Sequence, residues 1–427
     1  MRPALPQGPY LIVGLARSGQ AAARVLADRG ERVMGVDSGR PHGADDLAGA
    51  GVDLSLESDG LAELAAASSV IKSPGVPTTA PAIAAARDRG IPVIGELELA
   101  WRLLSNRFVA VTGTNGKTTV AELLGHVWRT AGEPVRVAGN VGTPLASLVG
   151  QVEPAATIVC EASSFQLEDS IAFAPECGLL LNVAPDHLDR HRTLDDYLAA
   201  KLRVFANQGP EDFAVINGAD PIVSSAAIPG AAQQIDFSER IGRDRTSLIG
   251  PHTAANAAAA AAAAEAMGIG AEAIRHGLAT FPGIPHRLER TRELDGVTYV
   301  NDSKATNVAA ASAALRSFDG GVRAILGGSL KGGGFDELAT PVAERCVACY
   351  LIGEAAERLE EDLAPAWSTG VERRRCAGLA EAVTAAAAGA APGEIVLLAP
   401  ACASFDAYSD FEQRGEHFRE LVESLGA

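Results

Sequence analysis

Lys117 stands in Gly113-Thr114-Asn115-Gly116-Lys117-Thr118-Thr119, directly after the apolar run Phe108-Val109-Ala110-Val111 and at the start of a helical pattern. A glycine turn between a buried strand and a helix is a phosphate cradle. Backbone N–H groups and a helix N-terminus, with about half a positive charge, surround phosphate oxygens. Lys117 would bring a mobile point charge to the terminal phosphates, and the Thr118 hydroxyl could ligate Mg2+. The loop is shorter than G-x-x-x-x-G-K-[ST], because Val111 stands where the first glycine would be. The plainer reading is a glycine turn with a chance lysine; the strand before it and the helix after it argue against that.

Two more polar clusters follow apolar runs. Cys160-Glu161-Ala162-Ser163-Ser164-Phe165-Gln166 puts an acid at the C-terminal end of the strand Thr157 to Cys160. Asn182-Val183-Ala184-Pro185-Asp186-His187-Leu188-Asp189-Arg190-His191 does the same after the run Gly178 to Asn182. In an open α/β sheet the C-terminal edge faces ligand, so both clusters share the edge of the phosphate loop, where Mg2+ needs carboxylates. Alone, Glu161 reads as a solvated loop acid and His187 as a capping or packing histidine. Lys201, in Tyr197-Leu198-Ala199-Ala200-Lys201-Leu202, reads from spacing as a surface lysine.

The elements that must position these residues divide the chain into three α/β segments, with boundaries at 1–95, 96–285 and 286–427. In the first, the strand Tyr10 to Val13 enters Gly14-Leu15-Ala16-Arg17-Ser18-Gly19 and a helix, and a second strand ends at Asp37. That is the βαβ layout of a nucleotide-binding, Rossmann-like fold, with an acid about 20 residues past the glycine turn. Ala16 replaces the middle glycine of G-x-G-x-x-G, so the loop argues for a nucleotide and not for a dinucleotide. Val70-Ile71-Lys72 runs into a second loop, Ser73-Pro74-Gly75. The middle segment is expected to be a mostly parallel P-loop ATPase-type sheet that closes with a long alanine helix. The third repeats the alternation, with strands at Tyr299-Val300, Arg323 to Leu326, Val347 to Ile352 and Ile395 to Leu398, and is again Rossmann-like.

Acidic residues outnumber basic ones 53 to 36, a formal charge of -17. Such a surface repels nucleic acid and anionic membranes, so anionic ligands must be captured by local devices. No apolar stretch reaches the roughly 18 residues of a membrane span, and the first residues lack a signal-peptide pattern. A cytoplasmic chain is expected. Six cysteines are too few and scattered for a disulfide framework. Cys346 and Cys349 form a C-x-x-C within a strand, where an odd offset is expected to send the two thiols to opposite faces.

Taken together, these residues resemble the Mur ligase family along essentially the whole chain. The resemblance is carried by the phosphate loop, Glu161 with Ser163-Ser164-Phe165-Gln166, Asp186-His187-Leu188-Asp189-Arg190-His191, and Ala200-Lys201. In the third segment it is carried by Asn301-Asp302-Ser303-Lys304-Ala305-Thr306-Asn307, Ala401-Cys402-Ala403-Ser404-Phe405-Asp406, and Phe411-Glu412-Gln413-Arg414-Gly415. It implies an ATP-dependent carboxylate–amine ligase of peptidoglycan precursor synthesis. The third-segment residues imply the step adding D-glutamate to UDP-N-acetylmuramoyl-L-alanine; a monomer is expected. The resemblance also implies UDP-binding, ATP-binding and amino-acid-binding domains in that order.

The resemblance further implies residue roles. Lys117 would contact the transferring phosphate within a loop of Gly113, Thr114, Asn115, Gly116, Thr118 and Thr119. Thr118 and Glu161 would hold one Mg2+, and His187 and a carbamylated Lys201 a second. Asn256, Arg287, Asp302 and Lys304 would hold ATP. Thr306, Lys331, Ser404, Phe405 and Phe411 would hold glutamate. Arg17, Ser18, Asp37, Ser38, Gly75 and Asn140 would hold the uridine diphosphate. The sequence departs from the family pattern where Thr253 follows His252, and where Gly39 replaces an arginine that Arg40 could substitute. A P-loop ATPase switch and an NAD-dependent dehydrogenase are the competing readings. The first leaves the Asp302-Ser303-Lys304 cluster unexplained, and the second rests only on the imperfect glycine loop.

Overall fold

The computed structural model describes residues 2–140, 142–243, 246, 253–330 and 333–426, side chains at 188 and 189 excepted. Lys331 and His252 therefore lie outside the described residues. Residues 1–245 with 254–279 form one compact unit, and 280–427 with 246–253 form another. The first unit contains two parallel sheets and the second contains one mixed sheet. The chain is thus an α/β protein of mostly parallel sheets, as the alternation of apolar runs and helical patterns requires.

The first sheet is built from Tyr10–Val13 (β1), Val33–Asp37 (β2), Asp53–Leu56 (β3), Ser69–Lys72 (β4) and Val93–Gly95 (β5). Its order is β3-β2-β1-β4-β5, all parallel. Leu11 and Ile12 are fully buried on opposite faces, in separate apolar clusters. That two-sided burial is why β1 reads as an unbroken apolar run. Gly14 has φ +89, a conformation that costs glycine nothing. A Cβ on Gly19 would lie 1.8 Å from the Gly14 carbonyl oxygen, so helix and turn pack too closely for any larger residue.

The second sheet comprises Phe108–Thr112 (β6), Val135–Gly139 (β7), Thr157–Glu161 (β8), Cys177–Leu180 (β9), Phe213–Ile216 (β10) and Gln233–Asp236 (β11). Its order is β11-β10-β9-β6-β8-β7. The strand that feeds the phosphate loop therefore lies between β8, which ends in Glu161, and β9, which leads to Asn182. Register pairs Val111 with Glu161 and Thr112 with Leu180, so all three strands end level. The helix Thr253–Ala266 buries eight consecutive alanines, Ala257 to Ala264. Only a methyl-sized side chain permits such close packing on every side of a helix.

The third sheet contains Glu289–Leu294 (β12), Val297–Asn301 (β13), Val322–Gly327 (β14), Cys346–Ile352 (β15), Glu372–Arg375 (β16) and Ile395–Leu398 (β17), in the order β12-β13-β17-β14-β15-β16. Only β12 and β13 pair antiparallel. The thiols of β15 correct an expectation. Pairing jumps from Val322–Cys346 to Arg323–Ala348, so Val347 is an extra, exposed residue in a bulge. The bulge changes the alternation, and Cys346 and Cys349 are buried in one apolar cluster, with Cys346 hydrogen-bonded to Cys349. This contact and then burial push the Cys349 thiol well above its ordinary range. Among the described residues no helix is long and apolar enough to cross a membrane.

Candidate active site

The phosphate loop is held open by contacts from the loop after β9. Thr114 N–H donates to the Asn182 carbonyl at 3.0 Å, and Asn115 N–H to the Asn182 side-chain oxygen at 2.8 Å. Asn182 Nδ2 returns a bond to the Asn115 carbonyl at 3.1 Å. Gly116 caps the helix Lys117–Thr130 with φ +87, and a Cβ there would come within 2.6 Å of Asn256 Oδ1. Asn256, expected on the ATP, thus abuts the loop. Lys117 Nζ folds back onto the Gly113 and Thr114 carbonyls at 3.0 and 2.9 Å.

Beside this cradle, Thr118 Oγ1 donates to Glu161 Oε2 at 2.9 Å, and Asn140 Nδ2 to Glu161 Oε1 at 3.1 Å. A hydroxyl touching a 4%-exposed carboxylate at the head of a phosphate loop is an oxygen donor pair suited to Mg2+. Asn140, expected on the uridine diphosphate, also has its amide on this acid.

Lys201 is not the surface lysine its spacing suggested. It is 1% exposed and donates to the Gly113 carbonyl at 2.8 Å, with its ammonium 4.1 Å from the centre of the Tyr197 ring. Burial and then the charge of Lys117 push its pKa down to about 7. His187 has φ +52 and a half-exposed side chain, 3.6 Å from Asp186 and 6.4 Å, ring to ring, from Tyr197. Lys201 and His187 thus flank one tyrosine. Phe165 stacks on the His191 ring at 5.2 Å, and His191 Nε2 lies 2.9 Å from Ser164 Oγ. The described residues contain no cluster of three or more His, Cys, Asp and Glu that could hold a metal unaided.

At the C-terminal edge of the first sheet, Asp37 accepts from Leu15 N–H at 2.7 Å and Gly39 N–H at 2.9 Å. Its carboxylate therefore shapes the glycine turn that carries Arg17 and Ser18. Arg17 reaches the Gly142 carbonyl at 3.4 Å, and Ser73 Oγ donates to the Gly14 carbonyl at 2.7 Å, which brings the Ser73-Pro74-Gly75 loop alongside. Ser38 directly follows Asp37 at the end of β2. Arg40 is engaged with Glu57 at 3.1 Å on the surface.

In the second unit, Asp302 is buried; burial pushes its carboxyl up to about 6 against the opposing pull of the Leu288 N–H, Arg287 and Lys304. Lys304 lies 5.7 Å from the centre of the Phe411 ring. Thr306 follows in a tight turn, its N–H on the Lys304 carbonyl. Ser404 is buried, whereas Phe405 is 70% exposed, an unusual position for a phenyl ring.

Arg414, a residue with no role expected from its motif, organises this region from a fully buried position. Its guanidinium donates to Ser303 Oγ at 3.0 Å, the Ser303 carbonyl at 2.9 Å, and the Cys402 and Ala403 carbonyls, each at 3.1 Å. The signal that could have found it is an arginine on the inward stripe of a helix, level with Phe418 and Val422. At the phosphate loop, Asn182 and Tyr197 also line the site without any local signature in the sequence.

A central parallel strand feeding a glycine loop and helix, with an acid on the neighbouring strand end, defines the P-loop class of α/β nucleotide-binding folds. Residues 9–95 match the Mur ligase MurD-like N-terminal domain, 111–244 the Mur ligase middle domain, and 286–402 the Mur ligase glutamate ligase domain. The chain belongs to the Mur ligase family of enzymes. It is 43% identical over 445 residues, 97% of each chain, to UDP-N-acetylmuramoylalanine–D-glutamate ligase of Pelotomaculum thermopropionicum. It is 42% identical over 444 residues, again 97% of each, to the protein of that name from Geobacter metallireducens. Among solved structures it is similar to the UDP-N-acetylmuramate-alanine ligase of Thermotoga maritima, with a TM-score of 0.59 at 17% identity over 98% of this chain and 100% of that one. At that identity the likeness is one of fold.

Proposed function

We propose that this chain is the ATP-dependent ligase that adds D-glutamate to UDP-N-acetylmuramoyl-L-alanine, a cytoplasmic step of peptidoglycan precursor synthesis. The names of relatives matching 97% of the chain at 42–43% identity support this reading. The observation that carries the chemistry is the level edge of β8, β6 and β9, which gathers Glu161, the phosphate loop and Lys201 in one place. We assign residues 1–95 to the UDP-linked substrate, 96–285 to ATP and 286–427 to the amino acid.

The alanyl carboxylate attacks the γ-phosphorus of ATP, the bond to the bridging oxygen breaks, and ADP leaves. The glutamate amine then adds to the acyl phosphate, and the tetrahedral adduct expels phosphate. Negative charge gathers at each step, so the fixed cations and N–H dipoles must already be in place. Lys117, released from the Gly113 and Thr114 carbonyls, meets the transferring phosphate. Mg2+, held by Thr118 and Glu161 and at a second position by His187 and Lys201, would supply the remaining neutralisation. Asn256, Arg287, Asp302 and Lys304 hold ATP. Thr306, Lys331, Ser404, Phe405 and Phe411 hold glutamate, and Arg17, Ser18, Asp37, Ser38, Gly75 and Asn140 the uridine diphosphate.

Phosphate release from ATP tests this directly. It should be nearly silent until the UDP-linked precursor and glutamate are both present, and mass spectrometry should find the product with D-glutamate and not with L-glutamate. Release that needs neither substrate would identify an ATPase and overturn the reading.

A further inference from the structure

The Ser73-Pro74-Gly75-Val76 loop follows β4 in the first sheet, yet both its ends are held by the second. At its start, Lys72 Nζ lies 2.5 Å from Asp169 Oδ2, with both side chains almost wholly buried. At its end, Arg190 donates through Nη2 to the Val76 carbonyl at 3.0 Å and through Nη1 to the Gly75 carbonyl at 3.5 Å. Asp169 directly follows the short helix Ser164–Glu168, and Arg190 stacks its guanidinium 4.2 Å from the centre of Phe165 on that same helix. Glu168 lies 3.9 Å from Arg190. Phe165 in turn faces His187 at 4.9 Å and His191 at 5.2 Å. The helix begins three residues after Glu161.

We infer that Arg190 is a positioning residue: it fixes the Ser73–Val76 loop against the Glu161 and His187 segments and so sets where the UDP-linked acid lies relative to the transferring phosphate. The inference rests on the function proposed above. A planar guanidinium can bridge two successive carbonyls with its edge while its face lies on an aromatic ring; a lysine ammonium cannot do both. An arginine that merely joined the two sheets would affect the binding of both nucleotides alike. One that aims the loop affects only the acid.

The experiment compares Arg190→Met and Arg190→Lys with the wild type, in steady-state kinetics and in hydrogen exchange of the ligand-free protein. In both variants, KM for the UDP-linked precursor should rise about ten- to a hundredfold, while KM for ATP stays within about twofold. The Gly75 and Val76 amides should exchange faster in Arg190→Met, with exchange in β1 and β6 unchanged. Equal changes in both KM values, or unchanged exchange at Gly75 and Val76, would overturn the inference. A wild type that shows no precursor-dependent phosphate release would instead sink the functional reading. The exchange measurement needs no ligand, so it would still decide whether Arg190 holds the loop.

Discussion

Lys201 and Lys117 donate to the same acceptor, the Gly113 carbonyl, at 2.8 and 3.0 Å. Lys201 is 1% exposed, and loss of water around its ammonium, with the nearby charge of Lys117 as the smaller cause, disfavours its protonated form. Its pKa falls from 10.5 to about 7. A neutral amine is the form that attacks CO2, so the metal-binding carbamate that the family resemblance implies at Lys201 can be tested directly.

The first prediction concerns that amine. With 13C-bicarbonate at pH 8, NMR should show a carbamate carbon that is absent in Lys201→Ala, and Lys201→Ala should lose about a hundredfold or more in ligation. The linkage has a definite sign. Between about 7 and 10.5 the unfolded chain retains a proton that the folded chain has lost, so this group makes stability rise with pH across that window. Full ligation by Lys201→Ala would remove the assignment.

Asn140 provides a second test. Its amide holds one oxygen of Glu161 while Thr118 holds the other. Asn140→Ala should weaken the apparent Mg2+ affinity about 10- to 100-fold, because orienting partners of metal ligands carry effects of that size. A magnesium titration of phosphate release reads this. If only KM for the UDP-linked precursor moved, Asn140 would be a substrate contact alone.

Asp302 makes a prediction for the second unit. Its folded pKa of about 6 exceeds the ordinary 3.8, so the folded chain holds a proton that the unfolded chain has lost between those values. Stability from this group is complete below about 3.8 and is lost as pH rises through 6, by roughly 3 kcal/mol in all. In urea unfolding, Asp302→Asn should therefore gain on the wild type as pH is raised from 4.5 to 7. A constant difference would refute the assignment.

Lys72 and Asp169 form a nearly inaccessible ion pair, with Arg87 at 3.3 Å on the other carboxylate oxygen. Removing one partner strands a buried charge, so Lys72→Met should cost about 3–5 kcal/mol in urea unfolding. Replacing both, Lys72→Met with Asp169→Leu, should recover most of that loss. No recovery would mean that the pair contributes through geometry rather than by mutual neutralisation.

Much of the fold is legible locally. Strands buried on both faces, such as β1, β6 and β17, are unbroken apolar runs, and the phosphate loop is a turn whose glycines lie within four residues. The strands that escape a reading of the sequence are the edges. In β12 and β16, Glu289–Leu294 and Glu372–Arg375 are mostly charged because one side faces solvent, so neither shows an apolar run. The bulge at Val347 is likewise invisible, since it arises from pairing with β14 and not from any turn residue.

By itself, then, the amino-acid order determined the succession of elements and the short motifs, because backbone preference and side-chain period act over a few residues. It could not determine which lysine is buried, or what an asparagine or arginine touches. Lys201 meets Gly113 across 88 residues, Arg190 meets Val76 across 114, and Arg414 meets Ser303 across 111. Only the order in which strands join a sheet brings such pairs together, and a polar side chain's chemistry depends on how much water that arrangement removes from around it.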